Sequence, residues 1–144
     1  MTAQHTRHRT TARILITYVA ATTALTAALS ERHNDTWPPH AKLHTAQYIL
    51  VTIGLSVVAL VLLWQRGSGA RTRVVTACSI LATPWLGLLA APLFPGTPSA
   101  QPRIGEPFVP RCASAAILAG VMLAMLLTAA LLATRASTTG TAAR

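Results

Sequence analysis

The stretch from Glu31 to His44 gathers most of the side chains in this chain that could move a proton or hold a metal. It carries three of the five histidines, His33, His40 and His44, and two of the three acidic residues, Glu31 and Asp35; the third is Glu106. On a helix, His40 and His44 share a face, and Gln47 and Tyr48 continue that face one turn deeper. An imidazole beside a carboxylate at a bound substrate is the minimum equipment for acid–base chemistry. This reading assigns His40 and His44 as proton carriers, Glu31, Asp35 and Glu106 as their partners, and Trp37, Gln47, Tyr48 and Trp85 as substrate contacts. The same two histidines could share a metal ion, but a third ligand would have to come from a loop carboxylate. The His-x-x-x-His spacing here also lacks a Glu beside its first His. Neither a metal nor a cofactor is therefore expected. A chemically inert reading also stands, in which Trp37 anchors at head-group level and the histidines bond to loop backbone as an interfacial cap.

The elements that must position these residues are helices crossing a membrane. Of the 144 residues, 52% are hydrophobic and only 10% charged, too few charges for an ordinary soluble domain. Four apolar stretches, Ala12 to Leu29, Ala46 to Trp64, Val74 to Phe94 and Ala113 to Ala133, are each near the roughly 20 residues that cross a hydrocarbon core. Since lipid offers no water to unpaired backbone groups, they should be helices. The expected architecture is an all-α, integral membrane four-helix bundle in one domain spanning residues 1–144, a multi-pass protein of the cell membrane with a flexible tail over 135–144. In Trp37-Pro38-Pro39-His40, proline suits the first turn of the second helix, with Asp35 or Thr36 as its cap.

The net charge of +9 is unevenly distributed. Arg7, Arg9, Arg13, Arg66, Arg71, Arg73, Arg135 and Arg144 flank one side of the membrane, and Arg32, Lys42, Arg103 and Arg111 flank the other, eight against four of the twelve basic residues. The positive-inside rule then puts both termini and the Arg66 to Arg73 loop in the cytoplasm and the histidine segment outside. A basic rim of this kind suits anionic membrane lipid, and nucleic acid is not an expected partner. The basic start, the apolar run and the small residues Ala28 and Ser30 also fit a cleavable signal peptide. An uncleaved helix is preferred, because Thr17, Tyr18, Thr22, Thr23 and Thr26 are unusually polar for a targeting segment and can bond to neighbouring helices.

Further along, Thr45, Tyr48, Thr52 and Ser56 form a polar stripe that should face the other helices. Arg66-Gly67-Ser68-Gly69-Ala70-Arg71 reads as a short flexible turn joining antiparallel neighbours. Pro84, beside Trp85, should kink the third helix, and the Pro-rich connection after it brings Glu106 back to the membrane face of His40. Cys78 and Cys112 lie at different depths and should not pair. Ala116, Gly120 and Ala124 form a small-residue face expected to pack internally, or alternatively to dock a second copy or another membrane protein. No duplicated half and no ionisable residue at mid-membrane argues for a transporter.

The run Trp37-Pro38-Pro39-His40-Ala41-Lys42-Leu43-His44, preceded by Asn34, resembles the signature of an uncharacterised family of small four-helix membrane proteins of bacteria and fungi. In that signature Trp-Pro-Pro-His-Ala is followed by a basic residue, a bulky apolar one and His. Pro commonly follows the Asn there, where this chain has Asp35. The resemblance implies a four-helix membrane fold and no particular activity. A looser similarity, to sterol-isomerase-like membrane bundles that set acids, His and Trp at a lipid-facing cavity, implies a lipophilic substrate. The expected function is thus binding or processing of a small lipophilic molecule at the outer mouth of the bundle. The competing expectation is a non-enzymatic accessory or assembly protein.

Overall fold

The computed structural model describes residues 3–29, 38–95 and 111–138, with side chains over 6–29, 38–95 and 115–135. Helices α1 (Ala3–Leu29), α2 (Pro39–Trp64), α3 (Ala70–Ala90) and α4 (Arg111–Thr138) run up and down in order, and a 3-10 turn, Ala91–Leu93, extends α3. Each helix packs against its two neighbours around a square; of the diagonals, α1 touches α3, whereas α2 and α4 do not meet. There is no strand among the described residues.

Alternating three- and four-residue spacing of buried positions produces this bundle. Ala12, Ile16, Val19, Thr23 and Ala27 face inward from α1, Thr52, Ser56, Ala59 and Leu63 from α2, and Ala119, Met122, Leu126, Ala129 and Ala133 from α4; α3 supplies Ala77, Cys78, Leu81 and Trp85. That spacing, between 3.5 and 3.75 residues, is close to the helical repeat and so keeps one stripe of each helix against its neighbours. The inward stripe of α2 includes Thr52 and Ser56 of the expected polar stripe, whereas Thr45 is half-buried and Tyr48 exposed, and Ser56 Oγ satisfies itself by donating to the Thr52 carbonyl at 2.9 Å. All four helices are long and apolar enough to cross a membrane. At most 33% of any of those spans is buried, yet the outward positions are Leu, Val, Ile and aromatic residues such as Leu50, Val57, Ile117 and Leu127. A bundle in water would place polar side chains there.

Three expectations need correction. The helices outrun their apolar cores: α2 begins at Pro39, where the prolines placed its first turn, but α1 begins at Ala3 rather than Ala12, and α4 continues to Thr138, into the stretch read as a tail. The cap of α2 is Pro38 (φ −61, ψ 150), without a side-chain bond, rather than Asp35 or Thr36. Pro39 forces the residue before it into extended backbone, so the helix starts there, and the Pro38 carbonyl takes the N–H groups of Ala41 (3.0 Å) and Lys42 (3.2 Å). Finally, Ala116, Gly120 and Ala124 lie exposed on the outside of α4. Only one stripe of α4 can face inward, and the one holding Met122 and Leu126 has the bulk to fill the core.

The turn between α2 and α3 is held. Gly69 adopts φ 78 just before α3, a conformation costly for residues with a Cβ. Arg73, one turn into the helix, donates to the carbonyls of Ser68 and, at 2.9 Å, Gly67. The bundle thus has a motif end, where α2 starts at Pro39, and an arginine end, where α2 turns into α3.

Candidate functional site

The histidine pair stands in the first two turns of α2. The Nε2 atoms of His40 and His44 are 3.1 Å apart, with the rings edge to face at 4.4 Å between centroids. A contact of this length between two nitrogens is a hydrogen bond only if one ring carries the proton at Nε2 and the other leaves its lone pair free. The tautomers of the two rings therefore set which is donor and which is acceptor. Two nitrogens aimed at one point can also hold a metal, but no group of three His, Cys, Asp or Glu side chains comes together among the described residues.

Both histidines and Gln47 are exposed. Glu31, Asp35, Trp37 and Glu106 lie outside the described residues, so the carboxylate half of the expected site and the meeting of the two connections lie there too. Tyr48 and Trp85 are brought together. They line a cavity of about 260 Å³ among the four helices at the motif end, with Thr23, Thr26 and Ala27 of α1, Pro84 and Leu88 of α3, and Ala115 and Leu118 of α4. Tyr48 is one turn beyond His44, roughly 6 Å along α2, so it joins the exposed pair to the cavity's lip.

A polar chain crosses the bundle beside this cavity. The indole Nε1–H of Trp85, a buried residue, donates to Thr23 Oγ1 at 3.0 Å, and Thr23 Oγ1 donates to the Val19 carbonyl at 2.7 Å. Thr26 Oγ1 donates to the Thr23 carbonyl at 3.1 Å. Both hydroxyl protons are spent within α1, and what faces outward from these oxygens is lone pairs. Pro84 has no N–H for the carbonyl of Ile80, so α3 also carries a freed acceptor one turn below the cavity. The sequence reading missed Thr23 and Thr26 as site residues, treating them as packing groups. The signal was Trp85: an indole N–H in an apolar span needs an acceptor, and hydroxyls on a facing helix are the available kind.

A family model matches residues 15–142, from the first core turn of α1 to beyond α4. The chain belongs to the family of unknown function DUF6640. The matched range takes in the histidine pair and all the residues lining the cavity. No curated protein and no solved structure matches the chain.

Proposed function

We propose that the protein is a multi-pass membrane protein that binds a small lipophilic molecule in the cavity at the motif end, with His40 and His44 at its mouth and that mouth on the extracytoplasmic side. The observation that carries this reading is the cavity's lining, an apolar wall with a few convergent polar groups, which is the make-up of small-molecule sites. At about 260 Å³ it falls just below the ~300–1,000 Å³ usual for such pockets. It accordingly takes a small ligand or one end of an elongated one. Because Thr23 and Thr26 offer only lone pairs, the favoured ligand presents a donor, a hydroxyl or an N–H, on an otherwise apolar body. Chemistry at this site would be proton transfer through the His40–His44 pair, with Glu31, Asp35 and Glu106 as partners and Trp37 and Gln47 shaping the approach.

Mass spectrometry of lipid extracts from the purified protein tests the reading. The expected result is a stoichiometric non-phospholipid compound that disappears in Ala115→Leu, a change that fills the cavity. If the pair does chemistry, His40→Gln and His44→Gln retain the bound compound at normal protein level while its conversion stops. An extract containing phospholipid alone, unchanged by Ala115→Leu, rejects the pocket. One observation favours a second reading, an accessory protein that docks another helix: Ala116, Gly120 and Ala124 are exposed along α4. In that case Gly120→Leu disrupts an oligomer or complex and leaves the extract unchanged.

A further inference from the structure

At the arginine end, away from the motif, a small cavity of about 70 Å³ is walled by the side chains of Arg9, Arg13, Arg71 and Arg73 over an apolar floor that includes Leu63 and Val74. A space of that size holds several waters or one small polyatomic anion. Of the four guanidinium groups, Arg73 is engaged by the carbonyls of Gly67 and Ser68, and Arg13 lies over the ring of Trp64, 5.2 Å from its centroid. Arg9 and Arg71 have no side-chain partner among the described residues. Nor can the sequence supply a carboxylate side chain from nearby: Glu31, Asp35 and Glu106, the only acidic residues, fall in the two connections that join helices at the opposite end. Four arginines that line one cleft repel one another, and with no carboxylate partner for them among the described residues an anion from outside the chain relieves that repulsion.

A second feature says what kind of anion. Arg13 also heads a groove of about 580 Å³ between α1 and α2, walled by Ile14, Tyr18 and Trp64 and running from Thr10 to Ala21, about 16 Å along the helix. The groove lies on the apolar outer surface, where Ile14, Tyr18 and Trp64 are exposed, and Thr17, one of its lining residues, keeps a buried Oγ1 with no hydrogen-bond partner. One arginine therefore belongs at once to a polar cleft sized for an anion and to an apolar channel sized for a chain.

We infer that this end of the bundle is a binding site for one anionic phospholipid, its phosphate held by Arg9, Arg13 and Arg71 and one acyl chain lying in the α1–α2 groove. Arg13 is the hinge of the site, with its face on Trp64 and its donors toward the phosphate; a planar guanidinium can do both at once. Arg73 holds the turn, and so holds Arg71 at the rim. The site is independent of the cavity at the motif end, since the two share no residue.

Native mass spectrometry of the full-length protein, released from nanodiscs of equal phosphatidylglycerol and phosphatidylcholine with matched chains, tests the inference. The expected spectrum shows one retained phosphatidylglycerol, favoured over phosphatidylcholine by about tenfold, and a preference that declines as ionic strength rises. The double variant Arg9→Gln, Arg13→Gln should lose roughly tenfold in that preference, whereas Lys42→Gln, at the other end, leaves it unchanged. Ala21→Phe blocks the groove and should lower retention of the long-chain lipid while the fold, followed by circular dichroism, persists. Equal retention of the two lipids overturns the proposal, as does an unaltered preference in the double variant. Displacement of the lipid by an equal concentration of glycerol phosphate would identify a soluble phosphate ligand and also overturn it.

Discussion

Thr23 does three jobs with one hydroxyl: it returns a proton to its own helix, accepts the indole N–H of Trp85 from the diagonal helix, and borders the cavity. The diagonal contact places a donor and an acceptor where water is excluded, so each is costly without the other. Polar bonds between membrane helices are nonetheless worth less than that reasoning suggests, on average ~0.6 kcal/mol and at most ~1.7, because the separated helices also find partners. Thr23→Val, which preserves shape and removes the acceptor, should therefore destabilise the bundle by about 1 kcal/mol in a reversible unfolding titration. Trp85→Phe should cost more, since it also enlarges the cavity. The diagnostic quantity is the coupling: in Trp85→Phe the threonine change should cost almost nothing further. Additive losses would mean that the two side chains act independently and that their 3.0 Å contact carries no energy. The histidine pair differs in kind. Its members are exposed and bond to each other, so they add little to stability, and His40→Gln or His44→Gln should leave the unfolding midpoint nearly unchanged.

At the scale of elements, α1 is the helix whose status the sequence left open, between a targeting segment and a wall of the fold. It supplies Ile16 and Val19, two of the three largest fully buried side chains, along with Thr23 and Thr26 at the cavity and Arg9 and Arg13 at the arginine cleft. Removal at the small residues near Ser30 would expose the core stripes of α2 and α4. The expected intact mass of the protein purified from membranes is thus that of a chain retaining α1; a species starting near Glu31 would show that the first helix is cleaved. The four helices themselves were legible, because a run of apolar residues of membrane length has few other uses. Their ends were not, since hydropathy marks what sits in lipid, and residues such as Gln4, His5, Thr6 and Arg7 continue a helix into polar surroundings without adding to the apolar signal. The site was legible in part. The spacing of His40, His44 and Tyr48 is local and follows from helix geometry. The Thr23–Trp85 bond joins residues 62 apart in sequence, and its register depends on how two diagonal helices slide against each other, which no local pattern specifies. The outward turn of Gly120 was misread for a related reason: a small-residue stripe states that a close approach is allowed, without stating from which side.

For the whole molecule, the open quantity is direction, because a bundle with apolar walls can sit in a membrane either way up and its charges decide. Eight of the twelve basic residues belong to the arginine end or to the segments beyond it, and all three acids belong to the connections at the other end. Basic residues flanking spans resist translocation, whereas acids contribute little, so the arginine end should stay in the cytoplasm and the histidine pair should face out. The same orientation sets the arginine cleft against the leaflet where anionic lipid gives a negative surface potential, so its preference for phosphatidylglycerol and the topology of the chain are linked expectations. Cysteine accessibility decides the matter, provided the native thiols are silenced first. Cys78 is buried within α3, but Cys112 stands at the start of α4, at the motif end, and would report by itself; the background is therefore Cys78→Ala with Cys112→Ser. In intact cells, Asn34→Cys should react with a membrane-impermeant maleimide, and Ser68→Cys, in the held turn between α2 and α3, should react only after permeabilisation. Labelling of Ser68→Cys in intact cells, with Asn34→Cys protected, would turn the bundle over. The cavity would then open to the cytoplasm, and its ligand would have to be drawn from the inner leaflet or the cytosol instead of the outer side.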